Sequence, residues 1–205
     1  MHYRASVSNL EAYRRYCASD STDLYDFAKS LVMPMPQNDE MVVGTTIHTA
    51  LEHGFYHDIL YTPTGIRIFT DPINETIYAP NTEVYTQWVS DCGLTLTGRA
   101  DAIDFQTVWD HKVTGGAGGY YDSLQWRAYL TIFKCDRFIY NIFKRSPINS
   151  DQTGKYCRII GFSTEEYTVY SGMHQEVQDA CRDYMIHVAP LVSDIKKERS
   201  NYGYR

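Results

Sequence analysis

Apolar residues recur along the chain first at helical spacing, then at strand spacing, and then at helical spacing again. Ser6 or Ser8 can cap a short helix running through Arg15, and Ser21 or Thr22 a second one through Leu31, before MPMPQ breaks the pattern. Between Gly44 and about Leu60, Ile47, Leu51, Phe55 and Ile59 repeat every four residues with Ala50 alongside, which predicts a helix. Residues 61–82 are rich in Pro, Thr and Asn and read as a loop or small hairpin. Three runs rich in branched and aromatic residues follow, at 83–90, 94–104 and 107–113, and predict an antiparallel meander. After the GGAGG loop (115–119), Asp122 or Ser123 can open a helix in which Leu124, Ala128, Ile132 and Phe133 share a face. Strands are expected at 137–143 and 156–162, with a polar loop at 147–154 between them. A long last helix should open at Ser163 or Thr164. Its stripe runs Tyr170, Met173, Val177, Cys181, Tyr184, Val188, Leu191 and Ile195, and Pro190 should kink it. That stripe is too short for a coiled coil, so packing on the sheet is expected. The sum is an α/β fold, a mixed central sheet flanked by helices.

Composition narrows the setting. With 205 residues, 43% of them hydrophobic, the chain can bury one sizeable core and is expected to form one domain. No apolar run approaches the ~20 residues of a membrane helix, and MHYRASVSNL lacks the apolar stretch of a secretory signal. The expected location is therefore intracellular, in the cytoplasm, or the host cytoplasm for a phage-encoded chain. Five cysteines without CxxC spacing suggest neither a disulfide framework nor a zinc ribbon. A net charge of −6 argues against a protein that holds nucleic acid by its overall field. The charge is uneven, however: residues 127–158 carry Arg127, Lys134, Arg137, Lys144, Arg145, Lys155 and Arg158 against Asp136 and Asp151 only. That segment is either a face for a polyanion or a solvated rim.

The chemistry concentrates in Gly98-Arg-Ala-Asp101 and Trp109-Asp110-His-Lys112. A hairpin turning near Phe105 and Gln106 pairs positions whose numbers sum to 211, so Asp101 faces Asp110. Opposed residues have Cβ atoms roughly 4.5–5.5 Å apart, unfavourable for two bare carboxylates but suited to sharing a divalent cation. Lys112 shares Asp110's face of the strand, while Trp109 and Val113 point to the other face and can enter the core. Two acids with a lysine suit phosphodiester hydrolysis: the acids hold Mg²⁺ or Mn²⁺ and the ammonium orients or helps deprotonate the attacking water. The alternative is a surface hairpin with Asp–Lys pairing.

Other residues bear on this site. His48 lies near a helix start with Glu52 one turn on, where it can ligate metal or sit partly buried against a backbone carbonyl. Gln125 and Tyr129 lie four apart on one helix face, where the amide can hold Lys112 and the hydroxyl can reach a phosphate. A zinc hydrolase built from His48, Glu52, His53 and His57 fails on spacing, because His53 and His57 face away from His48.

In order, GTTIHTALEHG, LTGRADAID, VWDHK and QWRAY resemble the RecB-like branch of the PD-(D/E)XK nuclease superfamily, strongly over about 40–135. The resemblance implies a restriction-endonuclease-like core spanning 41–145, after a helical lead-in (1–40) and before a C-terminal strand and helix (146–205). It implies a Mg²⁺- or Mn²⁺-dependent DNA nuclease, an exonuclease rather than an endonuclease, working in recombination, repair or phage DNA processing. His48, Asp101 and Asp110 would be metal ligands with the Val113 carbonyl, Lys112 the catalytic lysine, and Gln125 and Tyr129 a site-supporting, DNA-contacting pair. Arg127 and Lys134 of the basic segment are further candidate DNA contacts. Glu83 stands where relatives often carry an accessory acid, or is a solvent-facing strand residue. The implied partner is DNA, at single- or double-stranded ends, with a helicase or recombinase as a further partner.

Some relatives clamp a [4Fe–4S] cluster with one N-terminal and three closely spaced C-terminal cysteines. Cys17 fits the first place, but Cys157 and Cys181 are 24 apart, so no iron–sulfur cluster is expected and Cys17 reads as a small core residue. Many relatives also carry threonine directly after the lysine, where this chain has Val113 before Thr114. GGAGG can approach a phosphate or serve as a connector. Aromatic residues next to the site, such as Trp126, Tyr120 or Tyr121, can stack single-stranded bases, but most of the tyrosines and tryptophans are expected to be core or surface filler and none is singled out as a base reader. The rival from another class is a non-catalytic DNA-binding or recombination subunit on the same fold, which has no chemical need for the whole residue set.

Overall fold

The computed structural model describes residues 2–20, 23–53, 57–70, 81–116 and 119–201. Among these, nine strands form one mixed sheet in the order β1-β5-β6-β7-β9-β3-β2, with β4 also pairing β5 and β8 pairing β9. The predicted meander is its centre. β4 (Asn81–Val89), β5 (Thr95–Asp104) and β6 (Thr107–Thr114) run antiparallel, and the β5–β6 pairs Ala102↔Trp109, Ile103↔Val108 and Asp104↔Thr107 keep the expected sum of 211. Phe105 takes the turn in a left-handed conformation (φ 46°). β7 (Arg137–Arg145) then lies parallel to β6, the connection crossing over through α4 (Leu124–Phe133), whose N-cap is Ser123.

The first ten residues hold an element that periodicity does not predict. β1 (Arg4–Ser6) adds in parallel to β5, and Ser6 then caps α1 (Val7–Cys17) by accepting the Asn9 N–H at 3.1 Å. A three-residue strand carries no alternation long enough to read. α2 (Leu24–Ser30) is capped by Asp23; Ser21 and Thr22 lie outside the described residues. α3 (Asp39–His53) begins five residues ahead of Gly44, where the Asn38 side chain accepts the Met41 N–H at 2.8 Å. It does not reach Leu60. Phe55 lies outside the described residues, and Ile59 belongs to β2 (Ile59–Tyr61), which pairs antiparallel with β3 (Arg67–Phe69) as the small hairpin expected there.

The C-terminal part departs from the expected strand and single long helix. Ser163 and Thr164 open no helix: β9 (Gly154–Thr168) continues through them because β7 offers a ladder along its whole length, down to Arg137↔Thr168. β8 (Asn149–Asp151) folds back on its start. The long helix is two helices, α5 (Met173–His187) and α6 (Ala189–Asn201), broken at Val188 because Pro190 lacks an N–H and suits a first turn.

The sheet buries both faces. On one, Leu10, Leu96, Ala100, Val108, Tyr140, Ile132, Val177 and Tyr184 join α1, α4, α5 and α6 to the central strands. On the other, Val43 and Ile47 of α3 pack with Ile66, Ile68, Phe143, Cys157 and Ile159. Cys17 is exposed, not a core residue, and Trp126 is buried in the first core, stacked on Tyr167 rather than open to bases. No helix among the described residues is long and apolar enough to cross a membrane.

Candidate active site

The β5–β6 ladder stops just short of Asp101 and Asp110. Beyond Ala102↔Trp109 the Asp101 carboxylate replaces the backbone partner and accepts the His111 N–H at 2.6 Å. Asp110 points to the opposite side of β6 from His111 and is 4% exposed. Its Oδ2 lies 2.5 Å from the Lys112 Nζ, and its Oδ1 accepts from the Gln125 amide at 3.0 Å. The Gln125 amide thus holds Asp110, not Lys112 as its place on the helix face suggested. The Tyr140 hydroxyl reaches toward Gln125, and the Tyr140 ring lies 5.4 Å from the Lys112 ammonium. Burial raises the Asp110 carboxyl above its ordinary value; Lys112 opposes this and Asp101 adds to it.

From the other face, α3 brings the His48 Nδ1 to 3.6 Å from the same Asp101 oxygen. His111 lies between: its ring faces His48 and Phe143 and pairs with the Asn141 amide at 3.2 Å. Burial, with the neighbouring His48, lowers the His111 pKa to about 4. Nothing in the sequence singled out His111 except its place between Asp110 and Lys112.

Glu83 is directed to this site. It has φ 53° within β4, between the pairs Thr82↔Ala102 and Val84↔Ala100, and so stands beside Asp101 across the ladder. A non-glycine residue in this region is strained. Its carboxylate lies 2.5 Å from the Arg99 Nε, and burial, Glu52 and Asp101 raise its pKa against the pull of Arg99 and His48.

Asp101, Asp110, Lys112, Gln125 and Tyr129 line one cavity of about 370 Å³ with Ser6, Ser8, Tyr85 and Arg99. The Tyr129 hydroxyl donates to the Arg99 carbonyl at 2.9 Å, which ties α4 to β5 rather than leaving it free for a phosphate. That approach requires Gly98, where a Cβ would come within 2.4 Å of Ile132 and 2.9 Å of Tyr129. Val113 packs against the α3 core and lines a second cavity, of about 630 Å³, with Gly115, Gly116 and Arg145. Arg127 and Lys134, the candidate DNA contacts of the basic segment, do not line the cavity of Asp101 and Asp110. Arg127 is held by Tyr170, Ser123 and Glu176, and Lys134 is the left-handed C-cap of α4. Within the basic segment, Arg137 pairs with Glu166, Arg145 with Glu40 and Lys155 with Asp39, so acids distant in sequence neutralise much of it.

Among the described residues, no three His, Cys, Asp or Glu side chains converge on one ready-made metal position. The donors still fit a hard cation. Mg²⁺ keeps several waters and is held by one or two carboxylates plus substrate phosphates, and Asp110 is a desolvated carboxylate whose burden a cation would relieve.

The sequence matches no protein-family model and no curated protein. In structure it is similar to the alkaline exonuclease LHK-Exo from Laribacter hongkongensis, in a complex with dAMP. Identity is 12%, coverage 98% of this chain and 93% of that one, and the TM-score 0.52. It is also similar to a candidate exonuclease from Eubacterium rectale, at 11% identity, covering 93% of this chain and 81% of that one, with TM-score 0.54. The chain therefore shares the α/β fold of these exonucleases, a mixed sheet flanked by helices.

Proposed function

We propose that this protein is a Mg²⁺- or Mn²⁺-dependent DNA exonuclease of the RecB-like PD-(D/E)XK type. The observation that carries the reading is a buried Asp110 held between Lys112 and Gln125, with Asp101 on the adjacent strand, all lining one cavity. A purely structural hairpin has no use for a desolvated carboxylate beside a second acid. Asp101 and Asp110, with His48, would hold the ion, and Glu83 stands near as an accessory acid. When bound, the ion supplies Lewis-acid stabilisation of charge on the phosphoryl group.

The chain's own groups do the rest. Lys112 presents an ammonium to the attacking water and orients it toward phosphorus. Gln125 fixes the Asp110 carboxylate and the Tyr140 ring supports the ammonium, so neither has to reorganise during reaction. The water's proton passes to solvent while the Lys112 ammonium stays charged, and a solvent water returns a proton to the leaving 3′-oxygen. Linear and covalently closed circular DNA, each incubated with Mg²⁺ or Mn²⁺, test the reading. Linear DNA should be degraded and the circle should persist. Nicking of the circle at a comparable rate would make the enzyme an endonuclease. Binding without cleavage would make it a non-catalytic DNA-binding subunit.

A further inference from the structure

We propose that the outward face of β2, β3 and β9 is a track for single-stranded DNA that continues from the catalytic cavity. Strand parity carries the first step. Asp110 and Lys112 lie on the face of β6 turned toward α4. In register with that face run Tyr140↔Glu165, Ile142↔Ser163 and Lys144↔Gly161 across β7 and β9. A bulge at Lys144/Arg145 shifts the alternation of β9, so that Cys157 and Ile159 enter the α3 core while Tyr156 and Arg158 turn back to the catalytic side. Their partners on β3 are Arg67 and Phe69, and Tyr61 of β2 pairs with Arg67. Lys112, Lys144, Arg158, Phe69, Tyr156 and Tyr61 thus share one side of one sheet.

Their chemistry is that of a base and phosphate platform. The Arg158 guanidinium lies 4.2 Å above the Phe69 ring, and Arg67 lies 5.6 Å from the ring of Tyr156, which meets Phe69 edge to face. Arg158 and Lys144 are exposed and Tyr61 is 66% exposed, so all three are open to a ligand on this face. Asp151 neutralises Arg67, whereas Arg158 makes no ion pair among the described residues and remains available to a phosphate. Interleaved rings and guanidiniums on a sheet face bind single strands by stacking with little sequence preference. A strand spacing of ~4.8 Å and a rise of ~3.3 Å per residue put this platform roughly 20 Å from Lys112, within reach of a few nucleotides. The direction of the track rests on the nuclease reading; its binding of DNA does not.

The test uses fluorescein-labelled oligothymidylate of ~20 nucleotides, long enough to cover site and platform, with anisotropy read in chelator. In parallel, hydrolysis of thymidine 5′-(p-nitrophenyl phosphate) with Mn²⁺ samples the catalytic cavity alone. Phe69→Ala and Arg158→Ala should each weaken oligonucleotide binding roughly tenfold, and Arg158→Ala should lower the slope of log affinity against log salt by about 0.7. The small ester should be hydrolysed at the wild-type rate by both. Should Phe69→Ala fail to fold, Tyr61→Ala and Arg158→Glu alter exposed side chains and carry the same expectation. Unchanged oligonucleotide binding in the folded variants overturns the track, and so does an equal loss on the small ester. Unchanged binding with altered sedimentation would overturn it in favour of a contact between two copies of the chain. A wild type inert toward the ester would count against the nuclease reading alone, because the binding arm decides the track by itself.

Discussion

At the scale of single residues, the site is costly to the fold. The Asp110 carboxyl has its pKa raised by burial, so the native state holds this proton more tightly than the unfolded chain does. Stability must then fall as pH rises through the window above the ordinary value of 3.8, and the loss persists at neutral pH. Asp110→Asn should therefore melt at a higher temperature than the wild type in chelator at pH 7, while its DNA hydrolysis falls by at least ~10²-fold. Thermal melts and rate assays on the same preparation check both halves; a destabilised Asp110→Asn would contradict the first. His111 gives the opposite slope. Its pKa of about 4 against an ordinary 6.5 means the unfolded chain takes up a proton that the native state refuses. Stability should drop as pH falls from about 6.5 toward 4, by on the order of 2–3 kcal/mol. Urea midpoints across that window should flatten in His111→Gln.

At the scale of elements, Gly98 lets β5 approach the side chains of α4 closely. Gly98→Ala forces its Cβ into Ile132 and Tyr129 and should cost about 1–3 kcal/mol, read as a lower urea midpoint with an unchanged slope. The same region shows why part of the fold was legible in the sequence. A two-residue turn between 104 and 107 is local, so its register, and with it the relation of Asp101 to Asp110, follows from counting. The Ser123 cap and the buried face of α4 follow likewise from neighbours in sequence. What failed was nonlocal. β1 exists because β5 leaves an edge for it, β9 runs past Ser163 because β7 extends alongside it, and Cys17 is exposed although its composition suited a core. The strained Glu83 and the His111 ring between His48 and Asn141 also depend on three elements meeting, which no spacing encodes.

At the scale of the molecule, the sheet separates two tasks. One face, with α3, brings in His48 and buries His111; the other, with α1 and α4, holds Asp110, Lys112 and Gln125 and continues toward the exposed aromatic strands. A net charge of −6, with much of the 127–158 segment paired to acids, leaves the proposed DNA contact to local cations: Lys112 and Arg99 in the cavity, and exposed Lys144 and Arg158 along one face. The most direct test of the central claim is release of nucleotides from end-labelled linear DNA, with Mg²⁺ or Mn²⁺, by the wild type, Asp110→Asn and Lys112→Ala. The account predicts metal-dependent release by the wild type and a loss of ~10²-fold or more in both variants. Release at the wild-type rate by either variant, or a wild type that binds DNA and cleaves none of it with either metal, would contradict it.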